Sequence, residues 1–552
     1  MSLLRGINLT SSTTIWTVGV LVVVFAVVAA VLLPLTLPTT ARRSPARTGG
    51  ATDAPDPSDK ATSHGSGGRT VGPVLGHRLK SAGRYSARAV LFTVPVLLVV
   101  ALGGLLINRP MHYVRTFGDV IEAAAPHTQG ASRVTPLPDA SAYAAVPAEA
   151  WKASFQDAGN GSQEATWTGP VSGITLPVRV VLPAGYRPND GRTYNVLVGL
   201  HGWVGDPQSL VTGIASPQRL QEAIDAGRIP PSILVFPSLN ADGASQPDCV
   251  NINGRPPVGT WTAEEIPRMI QATFPNVTTQ RAGWMIMGIS AGAYCAARTA
   301  YDVPQRFGAV GVMSSYDLPG EGSLAHSGRE LQAQNGLSTM LGKRKPDGMR
   351  FYVLGAQDDP YGTARTAWSM DEVVRKPDSV TVDTPSTGGH SWTLWSGHFP
   401  SLLTWWGSDP AVFTAAGLPA PQGDTRAKAT TDGVKPLSET SKDQRAAKSV
   451  SSVRAKPFEI NGLGTMILAV VVSLGALGVV LFWSPRWGRR RDGGRPSVAR
   501  LGSTILGRVV VIVVAAGLVA VTVGIGANAS GGFYTSWGDL WASVRTSELP
   551  GK

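Results

Sequence analysis

The sequence predicts an α/β domain, a mainly parallel sheet with flanking helices, joined to four transmembrane helices. Three observations predict it. First, four uncharged apolar runs interrupt the 552 residues, each of about the 17–25 residues that cross hydrocarbon as a helix. Second, between the second and third runs, roughly 270 residues alternate short apolar or β-branched stretches with longer helix-like ones. Third, the net charge of +12 is confined to the two short connections inside each pair of runs. With 43% apolar and 16% charged residues the chain is neither disordered nor a coiled coil, and 64 Gly and 41 Pro without a period exclude collagen.

The four runs are Ile15–Leu37, Ala89–Ile107, Leu463–Trp483 and Val509–Ala527. Residues 38–88 carry nine Lys and Arg against three Asp, and residues 484–508 carry seven Arg against one Asp, +6 each. Residues 108–462 hold 30 basic and 31 acidic side chains, so the region with room for a core is neutral and no nucleic-acid partner is expected. Excess Lys and Arg in short loops marks the cytoplasmic side. Both basic loops are therefore expected inside a plasma membrane crossed four times. The N-terminus, a domain over 108–418 (core 167–406) and the tail 528–552 are then extracytoplasmic. The alternative for Ile15–Leu37 is a cleaved signal peptide ending near Pro38-Thr39-Thr40-Ala41; the run is long for that, and the following Arg cluster opposes export. The basic loop 38–88 and the linker 419–462 are expected to be largely disordered.

Strands are predicted at Leu176–Leu182, Tyr194–Leu200, Ser232–Phe236, Gly283–Met287, Ala309–Met313, Arg350–Leu354 and Val380–Asp383. Helices are predicted at Ser216–Ala226, Thr262–Phe274 and Ala291–Tyr301, with Thr262 and Glu265 spaced as a capping box. Cys249 and Cys295 are the only cysteines and both fall in the exported domain, which makes them a disulfide candidate; two buried free thiols are the alternative.

One stretch fits G-x-S-x-G: Gly288-Ile289-Ser290-Ala291-Gly292. With 64 Gly, chance supplies about half a match, so the context decides. Trp284-Met285-Ile286-Met287 precedes it as a buried strand, and Ala291–Tyr301 follows as a helix. A serine on such a turn projects from the sheet edge, beside the free amides of a helix N-terminus. A serine hydroxyl needs a base and the base an orienting carboxylate. His326, His390 and His398 follow Ser290. His390, after Gly388-Gly389, is preferred and His398 is the runner-up. The strand Arg350–Leu354 leads into Gly355-Ala356-Gln357-Asp358-Asp359, so Asp358 is taken as the acid with Asp359 close behind. Strand Asn195–Leu200 leads into His201-Gly202-Trp203; the backbone amides of Trp203 and Ala291 are the expected oxyanion donors. Trp203, Trp392 and Trp395 either pack the core or line an acyl or sugar pocket. No metal site, dinucleotide fingerprint or P-loop is found, and no cofactor is expected.

Leu182-Pro183-Ala184-Gly185-Tyr186, His201-Gly202, the serine elbow and Gly389-His390-Ser391-Trp392 with Trp395 resemble the esterase D branch of α/β-hydrolases. That branch includes feruloyl-type esterases and the antigen 85 mycolyltransferases, and the match spans roughly residues 167–406. It implies an α/β-hydrolase fold, Ser290 as nucleophile, His390 as base and a carboxylate partner. Both cysteines recur in the actinobacterial relatives that the chain resembles. The elbow departs from the family's Ser-Met-Gly-Gly, reading Ser290-Ala291-Gly292-Ala293. The expected protein is a membrane-anchored serine esterase or acyltransferase acting on esters of envelope lipids or acyl sugars, with possible membrane-protein partners. The alternative is a catalytically silent hydrolase-like scaffold in an envelope complex.

Overall fold

In the computed structural model, residues 2–32, 72–111, 114–124, 130–241, 248–420, 457–482, 498–531 and 534–540 are described, apart from a few positions within them. The chain divides into two compact units. One comprises Met1–Ile15, Gly104–Met466 and Ile525–Lys552, the other Trp16–Gly103 and Ile467–Gly524.

The second unit consists of long apolar helices. Four segments, Ser12–Leu32, Val90–Arg109, Leu463–Val480 and Gly502–Asn528, are long and apolar enough to cross a membrane, by length and composition. Small residues let them pack closely: Ala26, Ala29, Ala30 and Ala515 bury against Phe92, Val480 and Ile512. The Ser473 and Thr522 hydroxyls pair at 2.7 Å. The basic loop 38–88 lies outside the described residues up to residue 71, but the chain is helical from Gly72. The second basic loop is outside them over 483–497 and helical from Val498. Lys and Arg are good helix formers, so a positive charge that keeps a segment out of hydrocarbon does not end its helix. The linker over 421–456 and the tail over 541–552 lie outside the described residues.

The first unit holds a nine-stranded sheet. Its strands are β1 (Gln156–Gly159), β2 (Ser162–Thr168), β3 (Thr175–Val181), β4 (Asn195–Leu200), β5 (Ser232–Pro237), β6 (Trp284–Ile289), β7 (Ala309–Met313), β8 (Arg350–Leu354) and β9 (Ser379–Asp383). Their spatial order is β9-β8-β7-β6-β4-β5-β3-β2-β1. The six from β9 to β5 run parallel, and β3, β2 and β1 continue antiparallel. Strands β4, β5, β6 and β7 are buried at every residue, as strands covered on both faces must be. Val196, Val198 and Leu200 of β4 pack into one core with Trp261, Ile270 and Tyr294. Leu197, from the opposite face, joins Leu220, Trp395, Leu402 and Trp406 in the other.

The helices that matter for the site are α1 (Phe117–Ala124), α2 (Pro207–Thr212), α3 (Ser216–Asp225), α4 (Ile266–Thr273), α5 (Ala291–Asp302), α6 (Thr363–Val373) and α7 (Trp392–Gly407). The capping box expected at Thr262 is not formed. The chain is already helical from Val258 and makes a π-turn over Trp261–Glu265 before α4. The Thr262 hydroxyl donates back to the Val258 carbonyl at 3.0 Å, and Glu265 accepts the amides of Val171 and Ser172. Burial of this turn against the sheet overrides the local capping signal.

Candidate active site

Ser290 stands between β6 and α5 at φ 54° and ψ −122°, a strained conformation that costs about 1–3 kcal/mol. The neighbouring glycines make that turn possible. A Cβ on Gly288 would lie 1.9 Å from the Gly292 carbonyl oxygen, and one on Gly292 would lie 2.1 Å from that of Leu200. The Ser290 amide donates to the Met313 carbonyl at the end of β7, which fixes the turn to the sheet.

His390 follows Gly388 and Gly389, both at positive φ, in the loop before α7. Its Nε2 lies 2.8 Å from Ser290 Oγ, and its Nδ1 lies 2.9 Å from Asp359 Oδ2. This corrects the preference for Asp358. Asp359 is fully buried, with Oδ1 accepting the Tyr361 amide and Oδ2 accepting the Thr363 hydroxyl at the start of α6. Asp358 turns away and accepts the amides of Gly389 at 2.8 Å and Gly388 at 3.2 Å. The two neighbouring carboxylates thus divide the work: one meets the imidazole, the other holds the loop that carries it. The imidazole stands between the rings of Tyr361 and Trp395, at 4.7 and 5.1 Å.

Among the described residues, the other histidines make their hydrogen bonds elsewhere. His398, the runner-up, points its Nδ1 at Asp383 Oδ2 (2.6 Å), which also accepts the Tyr352 hydroxyl. His326 pairs with the Gly322 carbonyl on the surface. His201 is fully buried, its Nε2 accepting the Leu239 amide, which leaves Nδ1–H to donate to the Gly202 carbonyl at 2.8 Å. Burial holds its pKa below 6.5, with the Gly202 bond opposing the shift, so it is a neutral brace for the loop.

That loop comes close to the serine. A Cβ on Gly202 would lie 3.3 Å from the Ser290 Cβ, so a side chain here would crowd the serine. Trp203 follows directly and is half-buried; Ala291 is the first residue of α5, where amides have no partner within the helix. Trp395 is buried and donates to the Ser314 hydroxyl, so it packs the site's wall; Trp392 stacks edge-on against it at 5.1 Å. Cys249 and Cys295 form a disulfide, which joins the segment before residues 251–252 to the first turns of α5. Among the described residues, no group of His, Cys, Asp and Glu could hold a metal ion.

Residues 172–405 match the Esterase family model, described as "Putative esterase". The match supports an ester-hydrolysing serine hydrolase, and the mostly parallel sheet with flanking helices fits the α/β-hydrolase fold. No curated protein matches the chain. Among solved structures the chain is similar to a ferulic acid esterase (18% identity, 44% of this chain and 97% of that one, TM-score 0.38). It is also similar to the Staphylococcus aureus fluorophosphonate-binding serine hydrolase F (13%, 46% and 98%, 0.37). A third is an S-formylglutathione hydrolase from Agrobacterium tumefaciens (15%, 46% and 97%, 0.38).

Proposed function

We propose that this chain is a membrane-anchored serine hydrolase whose catalytic domain works on the extracytoplasmic face, through Ser290, His390 and Asp359. The observation that carries this reading is the unbroken chain of short contacts, 2.8 Å from serine to imidazole and 2.9 Å from imidazole to carboxylate. His390 takes the hydroxyl proton as Ser290 Oγ attacks an ester carbonyl, and buried Asp359 holds the imidazole and stabilises its charged form. The Trp203 and Ala291 amides donate to the oxyanion of the tetrahedral intermediate. His390 then protonates the departing alcohol and activates the water that releases the acid. A sugar hydroxyl in the water's place would make the same acyl-enzyme an acyltransferase.

The two basic connections and the disulfide both support the outward orientation. A domain tethered to a bilayer meets lipid esters and acylated sugars of the envelope as its nearest substrates. The scaffold alternative does not require Ser290 and His390 to meet, and nothing favours it.

A membrane-impermeant fluorophosphonate applied to intact cells tests nucleophile and orientation together. Wild type is labelled and Ser290→Ala is not. Equal labelling of both proteins would remove the serine assignment; labelling only after permeabilisation would reverse the orientation.

A further inference from the structure

The chain repeats itself where the second and fourth apolar helices end. Asn108 is followed at fixed offsets by Val114, Thr116-Phe117-Gly118-Asp119 and Val120; Asn528 is followed at the same offsets by Tyr534, Ser536-Trp537-Gly538-Asp539 and Leu540. Asn108 Nδ2 donates to the Val114 carbonyl and Asn108 Oδ1 accepts its amide, at 2.7 and 2.9 Å. Asn528 closes the same ring with Tyr534 at 2.9 and 2.8 Å. The aromatic residue nine positions on then bonds to the segment that enters the preceding hairpin. The Phe117 amide donates to the Ile7 carbonyl, and Trp537 Nε1 to that of Phe458.

Of the positions at which the two copies differ, one bears on the serine site. Arg115 in the first copy stands where the second has Thr535, and the asparagine ring that precedes this position closes in both copies. Asp119 accepts the amides of Arg115 and Thr116, both at 2.8 Å, and fixes the backbone there. The guanidinium leaves the turn: its Nε donates to Asp206 Oδ2 at 2.5 Å, and its Nη2 lies 3.4 Å from Glu164 Oε2. Glu164 is shared with Arg179. Asp206, only 3% exposed, caps α2 through the Gln208 amide and ends the loop that begins at Gly202. From within the domain that loop is held by His201 and by Asn240 Nδ2, which donates to the Gly205 carbonyl. Burial pulls the Arg115 pKa down, but the charges of Asp206 and Glu164 more than reverse this, so the guanidinium keeps its charge.

We propose that Arg115 is a positioning residue for the Trp203 amide, clamping the oxyanion loop to the chain that leaves the second apolar helix. The inference rests on the catalytic reading above. Without the guanidinium, Asp206 keeps a buried charge without that cation, and the loop from Gly202 to Asp206 loses its anchor to the chain that leaves the second apolar helix.

The test uses full-length protein in detergent micelles, comparing wild type, Arg115→Ala and Arg115→Lys. In the alanine variant, amides over residues 202–210 exchange about tenfold faster, while those of α5 keep their protection. On a p-nitrophenyl ester its kcat falls about tenfold to a hundredfold with KM little changed, and lysine restores part of it. Fluorophosphonate labelling of the wild type in the same preparation separates two failures. An unlabelled wild type overturns the serine reading. A labelled wild type whose alanine variant keeps its exchange rates, or its kcat, overturns this inference alone.

Discussion

Two buried histidine–aspartate pairs lie on either side of one loop. His390 meets Asp359 at 2.9 Å and His398 meets Asp383 at 2.6 Å, and both carboxylates are fully buried. In isolation they are the same device. They differ in what completes them. The far nitrogen of His390 faces the hydroxyl of a strained serine. The carboxylate of the other pair accepts the Tyr352 hydroxyl instead, pinning α7 to β8 and β9 from within the core. On the proposed reading, the third partner is what makes one His–Asp pair catalytic, and the second pair holds the helix that begins two residues after His390.

The largest effect should come from Asp359→Asn, which leaves the geometry almost unchanged but favours the wrong imidazole tautomer. Turnover should fall by roughly 10³–10⁴-fold, with Tm nearly unchanged, in an ester assay paired with a melting curve. His398→Ala sharpens the contrast from the other side. It removes one partner of a buried pair and should cost about 3–5 kcal/mol of stability, read as a lower Tm. Below the melting range, its rate of labelling by a fluorophosphonate should stay within about twofold of wild type, because nothing touching the serine has changed. Asp358→Asn is intermediate in mechanism and smaller in size. It weakens two amide contacts in the His390 loop, about 1.5–3 kcal/mol between them, and should lower kcat roughly tenfold.

His201 offers a third comparison, a buried histidine braced by backbone alone. Its folded pKa is depressed below 6.5, so the unfolded chain takes a proton below that pH that the folded one refuses. Its contribution is thus complete above pH 6.5 and is lost as pH falls towards the depressed folded value, with a slope of at most about 1.4 kcal/mol per pH unit. His201→Gln should flatten the acid limb of a Tm-against-pH profile.

The parallel half of the sheet was legible because its strands are buried on both faces and read as unbroken apolar runs; β7 and β8 fall on their predicted residues. Strands β1 and β2 were not. Gln156–Gly159 and Ser162–Thr168 are polar and lie at the antiparallel edge, where pairing with β3 rather than hydrophobic pattern makes a strand. Ser290 could be read because the glycines around it leave a local signature. Asp358 and Asp359 could not be told apart, since both stand in the loop after β8. What selects Asp359 is the fold of that turn, where its amide donates to the Ala356 carbonyl and the Gln357 amide to that of Pro385. Arg115 lies 91 residues from Asp206, and no local pattern joins them.

The central claim is that Asp359, through His390, activates Ser290 while its neighbour only holds the loop. The most direct test is the rate at which a fluorophosphonate labels the purified full-length protein carrying Asp359→Asn or Asp358→Asn. Labelling slowed by orders of magnitude in the first and only about tenfold in the second is the predicted result. Equal rates, or the larger loss in Asp358→Asn, would contradict it.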